Sequence, residues 1–191
     1  MKKLATVYIL AAIALLSFSF IKKPHRKGHV KSISKTLAFP VAGNRSNIEG
    51  YWGDNRDGGR RLHKGIDIYA HKGTPVVAIS DGVIVDKDKT HNGGKTLWLK
   101  PAHQSWTAYY AHLDKQLVRS GQRVRKGQVI GTVGNTGNAR HTGSHLHFGI
   151  RPGKGWVNPL PYVKQSPKVA APRMSKAKKT KTVHHKRNTR R

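Results

Sequence analysis

Beyond residue 37 the apolar positions fall in short, β-branched runs separated by glycine: Ile66-Asp-Ile-Tyr69, Val76-Val-Ala-Ile79, Val83-Ile-Val85, Leu97-Trp-Leu99 and Trp106-Thr-Ala-Tyr-Tyr110. Runs of this length, with turn signals at this spacing, predict an all-β fold, a compact antiparallel sandwich or barrel. No stretch past residue 21 carries the 3.6-residue period of an amphipathic helix. Glycines at 121, 127, 131 and 134 place sharp corners between strands only a few residues long. The stretch around which the reading turns is Gly143-Ser-His145-Leu-His147-Phe148. Side chains alternate along a strand, so His145 and His147 share one face, roughly 6.6 Å apart, while Leu146 and Phe148 pack the other.

The ends of the chain read differently. An apolar run from Leu4 to Ile21 follows Lys2 and Lys3 and precedes Lys22, Lys23, Arg26 and Lys27. It predicts an N-terminal helix that is a signal peptide or membrane anchor, residues 1–21, and with it export of the rest of the chain. Residues 22–37 read as a basic linker, 38–163 as the folded domain and 164–191 as a disordered cationic tail, since that last segment has almost no bulky apolar residue to offset ordering entropy. The His184-His185 pair belongs to this tail. Lys and Arg total 37 against 8 acids, and all 8 acids lie between Glu49 and Asp114. The purely cationic ends are therefore expected on polyanions, anionic lipid headgroups among them. Basic and aromatic residues do not alternate as in a nucleic-acid module, so no nucleic-acid partner is expected. The glycine corners also occur in lipoyl and biotinyl carrier domains, but the lysine hairpin such carriers modify is missing.

With no cysteine, any metal must be held by histidine and carboxylate. His63-Lys-Gly-Ile-Asp67 offers one of each. A straight strand would hold these two side chains about 13 Å apart, so a turn at Lys64-Gly65 has to bring them together. With His147 they supply two nitrogens and one oxygen, a set that suits a single zinc ion with a fourth position open to water. Such an ion polarises a carbonyl and makes hydroxide available at neutral pH. Glu49 is the only glutamate and no His-Glu-X-X-His helix is present, so the proton acceptor is sought among histidines, namely His145 and His112. His71, His91, His103 and His141 read as surface residues, His141 being the one near enough in sequence to form a groove wall.

Taken in order, Gly59-Arg-Arg-Leu-His63-Lys-Gly-Ile-Asp67, Gly73-Thr-Pro-Val76, Asp81-Gly82, Tyr110-Ala-His112-Leu113, Gly127-Gln-Val-Ile-Gly131, Gly134-Asn-Thr-Gly137, Gly143-Ser-His145-Leu-His147 and Asn158-Pro159 resemble the lysostaphin-type, or LytM-like, zinc metalloendopeptidases. These enzymes cut peptide cross-bridges of bacterial peptidoglycan. The resemblance spans about residues 38 to 163. It implies the duplicated hybrid motif fold with a groove over one Zn2+, held by His63, Asp67 and His147, and catalytic roles for His112 and His145. It implies peptidoglycan as substrate and the cell envelope, periplasm or wall, as the site of action. Members of such families that lack part of the set act as wall-binding modules or hydrolase activators; here all five positions are filled. The glycine-rich Trp52-Gly-Asp-Asn-Arg-Asp-Gly-Gly-Arg-Arg61 fits the loop ahead of the first ligand but is long.

Overall fold

The glycine-bounded runs form strands that pair antiparallel throughout, in a computed structural model that describes residues 37–171. The N-terminal apolar segment, all of the linker but its last residue, and the basic residues after 171 lie outside the described residues. The strands are β1 (Asn47–Gly50), β2 (Asn55–Arg56), β3 (Arg61–Leu62), β4 (Ile66–Tyr69), β5 (Pro75–Val77), β6 (Gly82–Thr90), β7 (Gly94–Pro101), β8 (Trp106–Leu113), β9 (Lys115–Gln116), β10 (Arg123–Val124), β11 (Val129–Thr132) and β12 (His145–Pro152). Seven join in the order β1-β4-β12-β8-β7-β6-β10, three in the order β5-β11-β9, and β2 pairs with β3 as a separate hairpin. Helix among the described residues is confined to two 3₁₀ turns, Asp57–Gly59 and Gly137–His141, and one α-turn, Leu160–Val163.

Alternation decides which face of the large sheet is core. Ile66 and Ile68 of β4, Leu146, Phe148 and Ile150 of β12, Ala108 and Tyr110 of β8, and Leu97 and Leu99 of β7 are fully buried together. The small sheet closes over them with Val76 and Ile130. Tyr110 is the polar exception: its hydroxyl accepts a hydrogen bond from the Ile79 amide at 3.2 Å, so its burial leaves no orphaned oxygen. The residues between these core positions, Asp67, Tyr69, His145, His147, Tyr109 and Ala111, occupy the opposite face.

Two features differ from the sequence reading. The β6–β7 ribbon is longer, because the polar segment Asp86–Thr90 continues β6 as an exposed arm paired with β7. Without burial on either face that arm has no hydrophobic alternation to reveal it. The second difference lies in residues 164–171, which composition assigned to the cationic tail but which lie against the domain. The Phe39 amide donates to the Pro167 carbonyl at 3.0 Å and the Gly43 amide to the Val169 carbonyl at 2.8 Å. Val169 packs on the small cluster of Ala38, Ala42 and Val77, and the Lys168 ammonium sits 5.1 Å from the centre of the Phe39 ring. A few apolar and backbone contacts suffice to order a segment whose composition alone looks soluble. Two backbone hydrogen bonds and one half-buried valine are worth about 2–3 kcal/mol together. A chain ending at residue 163 should thus unfold in urea with a stability lower by about that amount than one ending at residue 171; coincident curves would show the strap to be ornamental.

Candidate metal centre and groove

The face of β4 and β12 turned away from the core carries the site. In the antiparallel register His147 lies opposite Asp67 and His145 opposite Tyr69, while on its other side His147 pairs with Ala111 of β8. His63 comes from the segment just before β4. The bend at Gly65 folds it back so that its Nε2 reaches Asp67 Oδ1 at 3.1 Å. Glycine is required there, since a Cβ would lie 2.6 Å from both His147 Cε1 and the Phe148 carbonyl oxygen. His63 is further clamped by backbone pairing with the preceding turn, its amide donating to the Asp54 carbonyl at 2.9 Å.

Three donor atoms then converge. His63 Nε2 and His147 Nδ1 are 2.9 Å apart, His147 Nδ1 and Asp67 Oδ1 3.0 Å, and His63 Nε2 and Asp67 Oδ1 3.1 Å. A tetrahedral zinc with nitrogen and oxygen ligands at its usual bond lengths would space them roughly 3.3 Å apart, so this triangle needs to open only slightly. The tautomer fits as well. His63 Nδ1 lies 2.7 Å from the Tyr51 carbonyl, which can only accept, so Nδ1 carries the proton and Nε2 presents a lone pair to the carboxylate oxygen. A cation between His63 Nε2 and Asp67 Oδ1, both acceptors in this tautomer, would satisfy the two at once. Burial would push the Asp67 carboxyl up, but the rings of His147 and His63 overcome that and hold it well below the usual carboxylate range. Burial likewise pushes His147 down. Both are therefore deprotonated, as ligands must be.

His112 reaches the same side by a backbone irregularity. Between the pairs Leu97↔Tyr110 and Lys95↔Leu113, β8 advances three residues while β7 advances two, so Ala111 and His112 bulge opposite Thr96. His112 also has φ +60°, a conformation that bulky residues adopt at a cost of about 1–3 kcal/mol. Regular alternation would have sent its ring to the core beside Tyr110; the bulge turns it to the groove. Its Nδ1 donates to the Thr136 carbonyl at 2.9 Å, and His145 Nδ1 donates to the Gly143 carbonyl at 2.8 Å. Each ring is thus left with Nε2 as its free nitrogen. The two rings are 5.0 Å apart, and Tyr69 stacks on His145 with centroids 4.9 Å apart. Burial first, then the neighbouring His147 and His145, lowers His112 to about 4.

All five residues line one groove of about 300 Å³, walled by Arg56, Asp57 and Arg61 on one side and by Asn138, Ala139 and Thr142 on the other. Sequence reasoning missed Arg56, Tyr69 and Tyr109. Tyr69 was within reach, since it lies two residues beyond Asp67 on the same strand face; Arg56 carried no local signal. His141 is exposed, as read from the sequence, and does not line the groove. The 3₁₀ turn Gly137–His141 directs it to a separate depression with His91 and Arg140, while Asn138 and Ala139 take the wall.

Residues 61–159 match the model of peptidase family M23. The chain belongs to that family, whose lysostaphin-type endopeptidases its motifs resemble. Among curated relatives it is 33% identical over 157 residues to the L-Ala--D-Glu endopeptidase of Bacillus subtilis (strain 168), across 76% of this chain and 48% of that protein. It is 35% identical over 132 residues to the murein hydrolase activator NlpD of Salmonella dublin, across 69% of this chain and 34% of the relative. The chain thus spans about half, or less, of the length of these relatives. Among solved structures, the catalytic domain of the antimicrobial peptidase lysostaphin from Staphylococcus simulans superimposes with a TM-score of 0.56 at 32% identity, covering 62% of this chain and 92% of that one.

The buried histidine has a thermodynamic consequence. The unfolded chain takes up a proton on His112 near its ordinary value of 6.5, whereas the folded protein does not until about 4. Between these values the unfolded state binds more protons, so stability falls as pH falls and is fully present above 6.5. Metal-free protein should accordingly show a urea midpoint that declines from pH 7 to pH 4.5. His112→Asn should flatten part of that decline; an unchanged slope would mean that the ring is not held neutral by the fold.

Proposed function

We propose that this chain is an exported zinc-dependent endopeptidase that hydrolyses peptide cross-bridges of bacterial peptidoglycan. The observation that carries the reading is the convergence of His63 Nε2, Asp67 Oδ1 and His147 Nδ1 on one point of a groove whose wall also holds two imidazoles with free Nε2 atoms. In this reading His63, Asp67 and His147 hold one zinc ion. When bound, zinc supplies the Lewis acidity that polarises a peptide carbonyl and makes water a nucleophile at neutral pH.

The rest of the chemistry falls to the chain's own groups. His112, neutral because it is buried, takes the proton of the attacking water at Nε2 and returns it to the leaving amine. Its Nδ1–H bond to the Thr136 carbonyl keeps the ring from turning as the proton moves. His145, held flat against Tyr69, donates from Nε2 in its protonated form to the oxyanion that develops on the carbonyl. The hairpin wall on one side and Asn138 and Thr142 on the other align an extended peptide across these groups.

In the same reading residues 1–21 direct export or anchor the protein to the membrane, residues 22–37 link, and the basic C-terminal tail holds the enzyme on anionic wall polymers. Among the described residues no helix is long and apolar enough to cross a membrane. Likeness to a hydrolase activator supports a second reading, a non-catalytic module on the same fold. The filled set of five side chains in one groove favours the enzyme.

Purified peptidoglycan incubated with the protein should release soluble muropeptides, stop doing so after chelation, and resume when zinc is returned. His147→Ala should abolish release together with zinc binding. His112→Ala should lower the rate roughly 10²–10⁴-fold while zinc content stays the same. Stoichiometric zinc without any release would favour the activator reading.

A further inference from the structure

The glycine-rich segment ahead of His63 ends in a feature that neither the ligand set nor the proton-transfer pair uses. Strands β2 and β3 form a hairpin with Arg56 opposite Arg61, turned by Asp57, Gly58 and Gly59, all three with positive φ. The Asp57 carboxylate accepts from Arg61 Nε at 2.8 Å and braces this turn from outside. The hairpin lays the Arg56 side chain over the site. Arg56 Nη2 donates to Asp67 Oδ2 at 2.6 Å, the carboxylate oxygen that faces away from the two imidazoles. The same Nη2 is 2.9 Å from His63 Nδ1, whose own proton is spent on the Tyr51 carbonyl.

A second observation shows that space is kept for this pair. Gly50 of β1 lies opposite Asp67, where β1 bulges by one residue, and it is buried. A Cβ on Gly50 would stand 2.6 Å from Asp67 Oδ2 and 2.9 Å from Arg56 Nη2. The strand edge is therefore cut back at the one place where the guanidinium meets the carboxylate.

We infer that Arg56 is a positioning residue of the metal centre: by holding Asp67 Oδ2, it leaves Oδ1 as the only oxygen free to bind the ion. This rests on reading His63, Asp67 and His147 as zinc ligands. A carboxylate without such a partner can rotate or bind through both oxygens, and loss of a partner of this outer kind typically costs about 10–100-fold in metal affinity. A charged hydrogen bond of 2.6 Å to a buried oxygen fixes both the rotation and the choice of donor atom. The long hairpin thereby acquires a task besides walling the groove.

The test compares Arg56→Met, Arg56→Lys and Gly50→Ala with the parent chain, using zinc competition against a chromophoric chelator and the visible absorption of the cobalt-substituted proteins. Arg56→Met should bind zinc 10–100-fold more weakly and alter the cobalt spectrum. Arg56→Lys, which keeps a cation donor, should recover part of both, and Gly50→Ala should resemble Arg56→Met. A hairpin that had merely lost an anchor would lower the melting temperature yet leave zinc affinity and the cobalt spectrum as in the parent, and that result would overturn the inference. Both readouts are independent of peptide cleavage. Failure of the parent to bind zinc would overturn the metal reading and this inference with it, whereas equal binding by parent and Arg56→Met overturns only the role of Arg56.

Discussion

The antiparallel register of β12 between β4 and β8 is the constraint on which the rest depends. Because His147 is locked opposite Asp67 and Ala111, one set of backbone hydrogen bonds decides at once where the second nitrogen and the carboxylate meet. The same pairing puts Leu146 and Phe148 into a core with Ile66, Ile68 and Tyr110. A slip of one residue would send His145 and His147 into that core and expose the leucine and phenylalanine. Hydrophobic burial thus sets His147 and Asp67 opposite each other, and the Arg56 contact then orients the carboxylate. The site is rigid because the core behind it is.

Regular strands alone would not complete the site, and the departures from regularity are where its special residues stand. His63 lies outside the ladder and is returned to it by a bend that only glycine fits, with the His147 ring closing over the gap. His112 sits on a bulge with left-handed backbone, which brings a ring that alternation assigns to the core out beside His145. Each irregularity costs conformational free energy, and each is held by neighbours that are themselves fixed. The Thr136 carbonyl pins the His112 ring, and the His112 amide donates to the Gly93 carbonyl at 2.8 Å. Strain of this kind persists only where the surroundings overdetermine it.

These physical origins explain what could be read from the chain and what could not. Period-two alternation at Gly143–Gly149 and Ile66–Tyr69 carries the strand assignment and places His145 beside His147, as found. The same signal marked the short strands but not the polar arm of β6, which buries nothing. The three candidate metal donors were legible as residue types with an ordered set of motifs around them, and the bend needed between His63 and Asp67 followed from strand dimensions. Arg56 was not legible, because it reaches Asp67 across a hairpin whose geometry depends on a four-residue turn, three of whose residues are in left-handed conformations. The ordering of residues 164–171 was hidden for a similar reason: it rests on backbone bonds to Phe39 and Gly43, segments more than a hundred residues earlier.

Separation along the chain also sets how the centre and the fold support each other. His63 and His147 are 84 residues apart, and only the assembled sheet brings them together. An unfolded chain offers the same donors singly and at large distances, so an ion bound by all three stabilises the native state by its full differential affinity. Protons compete for the same nitrogen and oxygen atoms, and burial already sets His147 and His112 against protonation. The forces that keep the rings neutral in the folded protein would therefore also keep their lone pairs available, His147's for the proposed ion and His112's for the proposed proton transfer. In this arrangement the stability of the sheet and the neutrality of the groove's imidazoles draw on the same burial.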